Sequence, residues 1–277
     1  MELIFFDLDG TLLNKASELT PFTRETLTLL SKKNVAYSIA TGRTMLSAQS
    51  VLSGHRFNLP HVFNNGVTVW DPKNNFVSFD NLLCASEIST IIECALKEKI
   101  APFVNTIVRH QNGDIEHHIY HGHLHHHIEQ NLVDKYLAKT SANLQPLSSL
   151  PENSQITNIS MIGDAKIIKK IWQYLNEFDS LIAYSGPATE GDHFSWMDVH
   201  HKLANKGSAV ENLKKQLGAS SLICFGDSDN DLSMFSLADE AYATANAKPS
   251  IKESASAVIG HHDEDGVAHF LRERFSL

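Results

Sequence analysis

Residues 2–13 read ELIFFDLDGTLL, and this stretch predicts how the rest of the chain is organised. Its apolar run, closed by Gly10, is typical of a buried strand that ends in a sharp turn. Side chains alternate along a strand, so Asp7 and Asp9 are predicted to share one face. Because neighbouring carboxylates repel unless a cation or a proton lies between them, the pair indicates a divalent cation. An acidic turn without any site is the alternative interpretation of so short a pattern.

The composition limits the kind of protein that this chain can be. Its 277 residues are 42% apolar, enough for one large core or for a core domain with a smaller inserted one. A formal charge of −9 argues against broad nucleic-acid binding, and no apolar run approaches the roughly 20 residues that a membrane span needs. Cys84, Cys94 and Cys224 show no paired spacing and no basic leader precedes the first strand. We therefore expect a reduced, cytoplasmic protein with neither nucleic-acid nor membrane partners.

Strands and helices alternate on both sides of a differently patterned middle. In the first part, strands are predicted at 2–6, 35–40 and 61–63, and helices at 21–33 and 45–52. Residues 67–79 then resemble a hairpin that leaves the sheet. The last part gives a helix at 208–217, preceded by a loop with Lys206 and Gly207, and strands at 193–199, 222–225, 240–243 and 257–259. This order predicts an α/β fold with a doubly wound, mostly parallel sheet of the Rossmann type.

The middle of the chain mixes strands and helices without strict alternation. A helix capped by Ser86 and another from about Leu124 to Lys139 lie among predicted strands. This mixture predicts an α+β domain with its own sheet. We therefore expect a discontinuous core of residues 1–81 and 188–277, and an inserted cap of residues 82–187.

Polar motifs follow the predicted strand ends or precede helices at separate places in the chain. They are Asp7-x-Asp9, Thr41-Gly42, Lys206-Gly207 and Gly226-Asp227-x-x-Asn230-Asp231. Each has an ordinary interpretation when taken alone: Thr41 can cap a helix, and Lys206 can be a solvated charge. The carboxyl ends of parallel strands meet at one edge of a sheet, where α/β proteins bind ligands. Their convergence at that edge favours a single site.

These residue types are the ones that phosphoryl transfer needs. Mg²⁺ prefers a few carboxylates, so Asp7, Asp227 and the backbone carbonyl of Asp9 can supply ligands, with Asp231 in or next to that shell. Donors for an anion are the Thr41 hydroxyl, the Leu8 and Gly42 amides, the Lys206 ammonium and the Asn230 amide. A carboxylate can attack phosphorus to give an aspartyl-phosphate, and a neighbouring acid can move the proton.

The motifs Asp7-Leu8-Asp9-Gly10-Thr11, Thr41-Gly42-Arg43, Asn65-Gly66, Lys206-Gly207 and Gly226-Asp227-x-x-Asn230-Asp231 resemble those of the haloacid dehalogenase superfamily. They are most similar to its Cof-type phosphatases, which carry a large α/β cap between the second and third motifs. The resemblance covers the predicted core, and the cap shares only its position and α/β character. One departure is the polar lead-in His200-His201-Lys202, where the family is usually apolar.

The resemblance implies a Mg²⁺-dependent phosphatase. Asp7 would be the nucleophile and Asp9 the general acid and base. Thr41, Lys206 and Asn230 would bind phosphate, and Asp227 the metal. The acid at position 9 disfavours dehalogenases, which lack it, and transport ATPases, which have Thr there.

Three further features of the sequence are candidates for a role in the site. Residues 117–127 hold seven of the 16 His residues; their i,i+4 spacings suit a metal on a helix, a solvated pH-sensitive helix start, or a role in substrate selection. Arg43 either contacts substrate phosphate or pairs with an acid. Asn65 is a candidate substrate contact.

The function expected from these residues is hydrolysis of a small phosphorylated metabolite, a sugar phosphate or a cofactor phosphate. A phosphomutase uses the same pair of acids and differs only in what accepts the phosphoryl group. A phospho-accepting signalling module also sets acids, a Thr and a Lys at a sheet edge, but such modules are shorter and lack the second acid. A catalytically idle binding protein is a further alternative. The sequence does not indicate an oligomeric state.

Overall fold

The computed structural model describes residues 1–136, 140–188, 191 and 193–277. These form two compact units: Met1–Ser78 together with Asn205–Leu277, and Phe79–Ala204. The strands are β1 (Glu2–Phe6), β2 (Ala36–Ile39), β3 (His61–Phe63), β4 (Thr68–Asp71), β5 (Phe76–Phe79), β6 (Phe103–Arg109), β7 (Ile115–His121), β8 (Asn143–Pro146), β9 (Ile156–Asp164), β10 (Leu181–Pro187), β11 (Phe194–His201), β12 (Ser221–Gly226), β13 (Glu240–Ala243) and β14 (Ala257–Val258). The α-helices are α1 (Pro21–Lys32), α2 (Met45–Val51), α3 (Ala85–Lys97), α4 (His127–Asn131), α5 (Ala165–Leu175), α6 (Lys206–Gln216), α7 (Leu232–Phe235), α8 (Pro249–Glu253) and α9 (Gly266–Phe275).

The first unit contains a parallel five-stranded sheet in the order β14-β13-β12-β1-β2. The strand β1, which lies between β12 and β2, is fully buried from Leu3 to Phe6, as its apolar run requires when helices cover both faces. Because β2 and β12 lie on either side of β1, the loops that follow these three strands leave the same edge of the sheet. The predicted α/β class with a parallel core sheet is confirmed.

The strand β3 differs from its prediction. It was expected in the parallel sheet, but it pairs antiparallel with β4 in a separate sheet of order β3-β4-β5. A single parallel bridge between Ala40 and Val62 links it to the end of β2. The physical reason is its length: three residues before a turn leave room for a hairpin partner and for little parallel pairing.

The second unit contains a six-stranded sheet in the order β10-β11-β9-β6-β7-β8, antiparallel except between β7 and β8. Its apolar core joins side chains of α3 and α5 to one face of this sheet, among them Ile91, Ile168, Ile171, Met197 and Val199. This is the α+β pattern predicted for the middle of the chain. No helix among the described residues has the length and apolar character to cross a membrane.

Several predicted boundaries need correction. The helix expected to be capped by Ser86 begins at Ala85, after Cys84. The helix predicted from Leu124 begins at His127, and a wider helical turn, Leu132–Tyr136, follows it; its predicted end at Lys139 lies outside the described residues. The strand predicted at 193–199 was assigned to the core domain. It is β11, and it pairs with β9 and β10, so residues 188–204 belong with the second unit where the structure describes them.

Candidate active site

Asp7 lies directly after β1 and is almost fully buried. Its backbone N–H donates to the carbonyl oxygen of Phe225 at 3.0 Å, which fixes the end of β1 against β12. The chain then turns, with Gly10 at a φ of +76°. A Cβ on Gly10 would lie 2.4 Å from Asp227 Oδ2, so glycine permits the close approach of these two loops.

The prediction that Asp7 and Asp9 share a strand face is wrong, because β1 ends at Phe6 and Asp9 belongs to the turn. The Asp9 carboxylate accepts hydrogen bonds of 2.6 Å from both Nε and Nη2 of Arg43. The Asp9 side chain is 52% exposed. Of the two interpretations of Arg43, the structure shows the pair with an acid.

Lys206 is fully buried and lies between two carboxylates. Its Nζ donates to Asp7 Oδ1 and to Asp231 Oδ1, each at 2.6 Å. It is the first residue of α6 and does not lie in a preceding loop as predicted, because the Asn205 side chain caps this helix by accepting from the Ser208 N–H. The missed signal was this Asn, a favoured residue at helix N-caps.

The loop after β12 brings further acids to the same place. The backbone N–H groups of Asp227 and Ser228 donate to Asp231 Oδ2 at 2.9 and 3.0 Å. One carboxylate oxygen from each of Asp7, Asp227 and Asp231 lies within 4.8 Å of the other two. The structure therefore brings the predicted acids together, apart from the Asp9 side chain.

The electrostatics of this cluster show an excess of negative charge. Burial raises the pKa of Asp7 well above its usual value, and the charges of Asp231 and Asp227 add to the rise against the opposing Lys206. Burial, with the charge of Asp231, raises the pKa of Asp227 to about 6. Burial alone would lower the pKa of Lys206, but the charges of Asp231 and Asp7 outweigh it and raise that pKa.

The donor set fits a divalent cation. With all three carboxylates ionised, they and the Lys206 ammonium carry a formal charge of −2. Oxygen ligands and this charge suit a hard cation such as Mg²⁺. Asp7, Asp227 and Asp231 are the side chains that would hold it.

The loop after β2 carries the predicted anion donors. Thr41 is buried, and its Oγ1 accepts from the Arg43 N–H at 3.1 Å. Gly42 lies close to the side-chain amides of Asn65 and Asn230. A Cβ at Gly42 would lie 3.2 Å from Asn65 Oδ1 and 3.4 Å from Asn230 Nδ2. Asn65 is buried, and its Oδ1 accepts from Asn230 Nδ2 at 2.9 Å. Its observed partner is therefore another site residue.

Some supporting residues were not predicted as part of the site. Thr244 Oγ1 and Asn246 Nδ2 donate to the Gly10 carbonyl oxygen at 3.0 and 2.7 Å. Thr11 Oγ1 donates to Asp227 Oδ1 at 3.4 Å. Thr11 stands next to the glycine of the first motif and was open to prediction, whereas Thr244 and Asn246 follow a different strand.

The histidines at 117–127 do not share one helix. His121 ends β7, and α4 begins only at His127, so the i,i+4 spacings do not apply. His118 Nε2 lies 3.1 Å from Glu116 Oε2. Among the described residues, the only group of three or more potential ligands is the acid cluster Asp7, Asp227 and Asp231.

The site places acids around a buried ammonium, with amide and hydroxyl donors nearby, at the strand ends of a parallel sheet. These are features of enzymes that act on phosphate groups. The sequence model of the haloacid dehalogenase-like hydrolase family matches residues 4–271, and the chain belongs to this family.

Named relatives and solved structures are similar to this chain over nearly its full length. The chain is similar to 5-amino-6-(5-phospho-D-ribitylamino)uracil phosphatase YitU of Bacillus subtilis, with 25% identity over 99% of this chain and 98% of that protein. A haloacid dehalogenase-like hydrolase of Bacteroides thetaiotaomicron has a TM-score of 0.78 at 21% identity, covering 99% of both chains. The subclass IIB sugar phosphatase BT4131 has a TM-score of 0.73 at 18% identity, covering 100% of this chain and 99% of that one. These structural likenesses concern the fold.

Proposed function

We propose that this phosphoric monoester hydrolase cleaves a small phosphorylated metabolite, with Mg²⁺ as cofactor and an aspartyl-phosphate as intermediate. The observation that carries the proposal is the position of the buried Lys206, which donates to Asp7 and Asp231 at 2.6 Å each. An attacking carboxylate, a fixed positive charge and a set of acids for a cation thus lie within one unit of the fold.

The proposed roles of the residues are those that the resemblance to the family implies. An Asp7 oxygen forms a bond to phosphorus while the bond from phosphorus to the leaving oxygen breaks. Asp9 gives its proton to that oxygen, then takes a proton from the water that attacks phosphorus, and this second step releases phosphate and restores Asp7. Lys206, Thr41, Asn230 and the Leu8 and Gly42 amides would bind the phosphate oxygens. Bound Mg²⁺ would neutralise the acid cluster, with the Asp9 carbonyl as a further ligand, and polarise the phosphate.

The substrate class rests on the relatives. The name of YitU denotes a phosphorylated ribitylaminouracil, and that of BT4131 denotes sugar phosphates. We extend the shared chemistry, a phosphate ester of a small polyhydroxylated molecule, to this chain.

The cytoplasmic location stays a prediction; Cys84, Cys94 and Cys224 are all free thiols.

A turnover screen tests the proposal. Purified protein with Mg²⁺ is incubated with a panel of sugar phosphates and cofactor phosphates, and both released phosphate and isomerised phosphate ester are measured. Phosphate release from members of the panel is expected, and it should vanish in Asp7→Asn. Isomer formation without phosphate release would identify a phosphomutase. A stable phosphoprotein without turnover would identify a phospho-accepting module.

A further inference from the structure

We infer that Asn65 is a positioning residue for Asn230, and that the turn Asn64–Gly66 aligns the separate loops that bind phosphate. This inference rests on the proposed function. The turn follows β3 and takes no direct part in the chemistry proposed above.

The backbone of the turn fixes the loop after β2. Asn64, Asn65 and Gly66 all have positive φ, at 49°, 51° and 106°, a region that Asn and Gly tolerate better than other residues. This conformation lets the Asn64 N–H donate to the Arg43 carbonyl at 2.9 Å and the Asn65 N–H donate to the Thr41 carbonyl at 3.0 Å. The turn therefore fixes both sides of Gly42.

The side chain of Asn65 fixes the amide of Asn230. Asn65 Oδ1 accepts from Asn230 Nδ2 at 2.9 Å, and Ser228 Oγ donates to Asn230 Oδ1 at 2.7 Å. With both ends of the amide bonded, its plane is set. The second N–H of Asn230 Nδ2 therefore already has a fixed direction. Binding an anion there would cost less conformational entropy.

The glycine of the turn approaches the helix that carries Lys206. A Cβ on Gly66 would lie 2.4 Å from the Asn205 carbonyl oxygen and 2.8 Å from its carbon. Asn205 caps α6, whose first residue is Lys206. One turn thus contacts the Thr41 loop, the Asn230 loop and the start of α6, which are distant in sequence.

Substitutions at Asn65 and Asn230, alone and together, test the inference. Asn65→Gly removes the amide and keeps a residue that accepts positive φ, and Asn230→Ala removes the positioned group. Asn75→Gly, in the exposed turn between β4 and β5 and also at positive φ (47°), is the matched control. The readouts are kcat and KM with p-nitrophenyl phosphate, and the affinity for orthovanadate measured by inhibition and by thermal stabilisation.

Asn65→Gly is expected to weaken orthovanadate binding about tenfold, the effect of losing one hydrogen bond to a binding group. The double variant should be no weaker than Asn230→Ala alone, because Asn65 acts through Asn230. Independent losses that multiply in the double variant, or unchanged orthovanadate affinity in Asn65→Gly, would overturn the inference. Absence of hydrolysis by the wild type on every phosphate ester would instead overturn the proposed function.

Discussion

The guanidinium of Arg43 donates two hydrogen bonds of 2.6 Å to the carboxylate of Asp9. Asp7, only two residues away, is buried against the ammonium of Lys206. The two acids of one short motif thus occupy different surroundings. A buried, fixed carboxylate suits attack on phosphorus, and a half-exposed one suits exchange of protons with a leaving group and water.

The first prediction concerns Asp9. We expect Asp9→Asn to lower kcat/KM on an alkyl phosphate by about 10²–10⁴, the usual contribution of a general acid. The loss should be smaller with p-nitrophenyl phosphate, because nitrophenolate leaves without a proton. The two values of kcat/KM, compared between wild type and variant, measure the difference. An equal loss with both substrates would argue against proton transfer to the leaving group by Asp9.

The second prediction concerns Lys206. Lys206→Met keeps the length of the side chain and removes its charge, so Asp7 and Asp231 face each other without a counter-ion. We expect orthovanadate to inhibit at least tenfold more weakly, and unfolding in the absence of metal to require about 3–5 kcal/mol less, the cost of breaking a buried ion pair. Lys215→Met, at an exposed position of the same helix, is the control. Unchanged inhibition in a folded Lys206→Met protein would reject the phosphate-binding role.

The third prediction concerns metal and pH. Burial, with the charge of Asp231, raises the pKa of Asp227 to about 6, so a proton competes with a cation below that pH. We expect EDTA to abolish activity and Mg²⁺ to restore it. The Mg²⁺ concentration for half activation should rise by about tenfold or more per pH unit below pH 6. Activity that survives exhaustive chelation would contradict the metal assignment, and a flat profile through pH 5 would contradict the role of Asp227.

The fourth prediction concerns stability. Burial lowers the pKa of His200 from 6.5 to about 4. The unfolded chain therefore takes up a proton as the pH falls below 6.5 while the folded chain does not, and stability is lost between pH 6.5 and 4. The expected loss from His200 is about 3 kcal/mol by pH 4. Unfolding by urea at several pH values measures it.

A control variant isolates the contribution of this side chain. His200→Asn keeps a donor near the His201 carbonyl, which lies 3.0 Å from His200 Nδ1, and removes the titrating ring. Its stability should fall less between pH 6.5 and 4 than that of the wild type. His117, whose pKa burial also lowers to about 4, keeps some pH dependence. Parallel curves for the two proteins would show that His200 does not titrate as argued.

The local parts of the fold could be predicted from the sequence. The apolar run before Asp7 placed β1, and the helix predicted at 21–33 matches α1, each within a residue or two. Pairing between distant segments was harder. The alternation in β11 fits either sheet, and only its partners β9 and β10 decide between them.

Within the site, the motifs predicted which residues would gather but not how they would pair. Asp7, Asp227, Asp231 and Lys206 converge as their positions after strands or before a helix predict. The bonds from Arg43 to Asp9 and from Asn230 to Asn65 depend on where loops from different strands bring long or flexible side chains. No periodicity or spacing encodes such a distance.

Attack of Asp7 on phosphorus would leave an aspartyl-phosphate, and this intermediate can be trapped. During turnover with Mg²⁺ and a good substrate, the reaction is quenched and treated with hydroxylamine, which converts an acyl phosphate to a hydroxamate. Peptide mass spectrometry then locates the modified residue. We predict a hydroxamate on Asp7 that appears only with substrate and is absent from Asp7→Asn. Steady turnover with Asp7 unmodified, or with the hydroxamate on another residue, would contradict it.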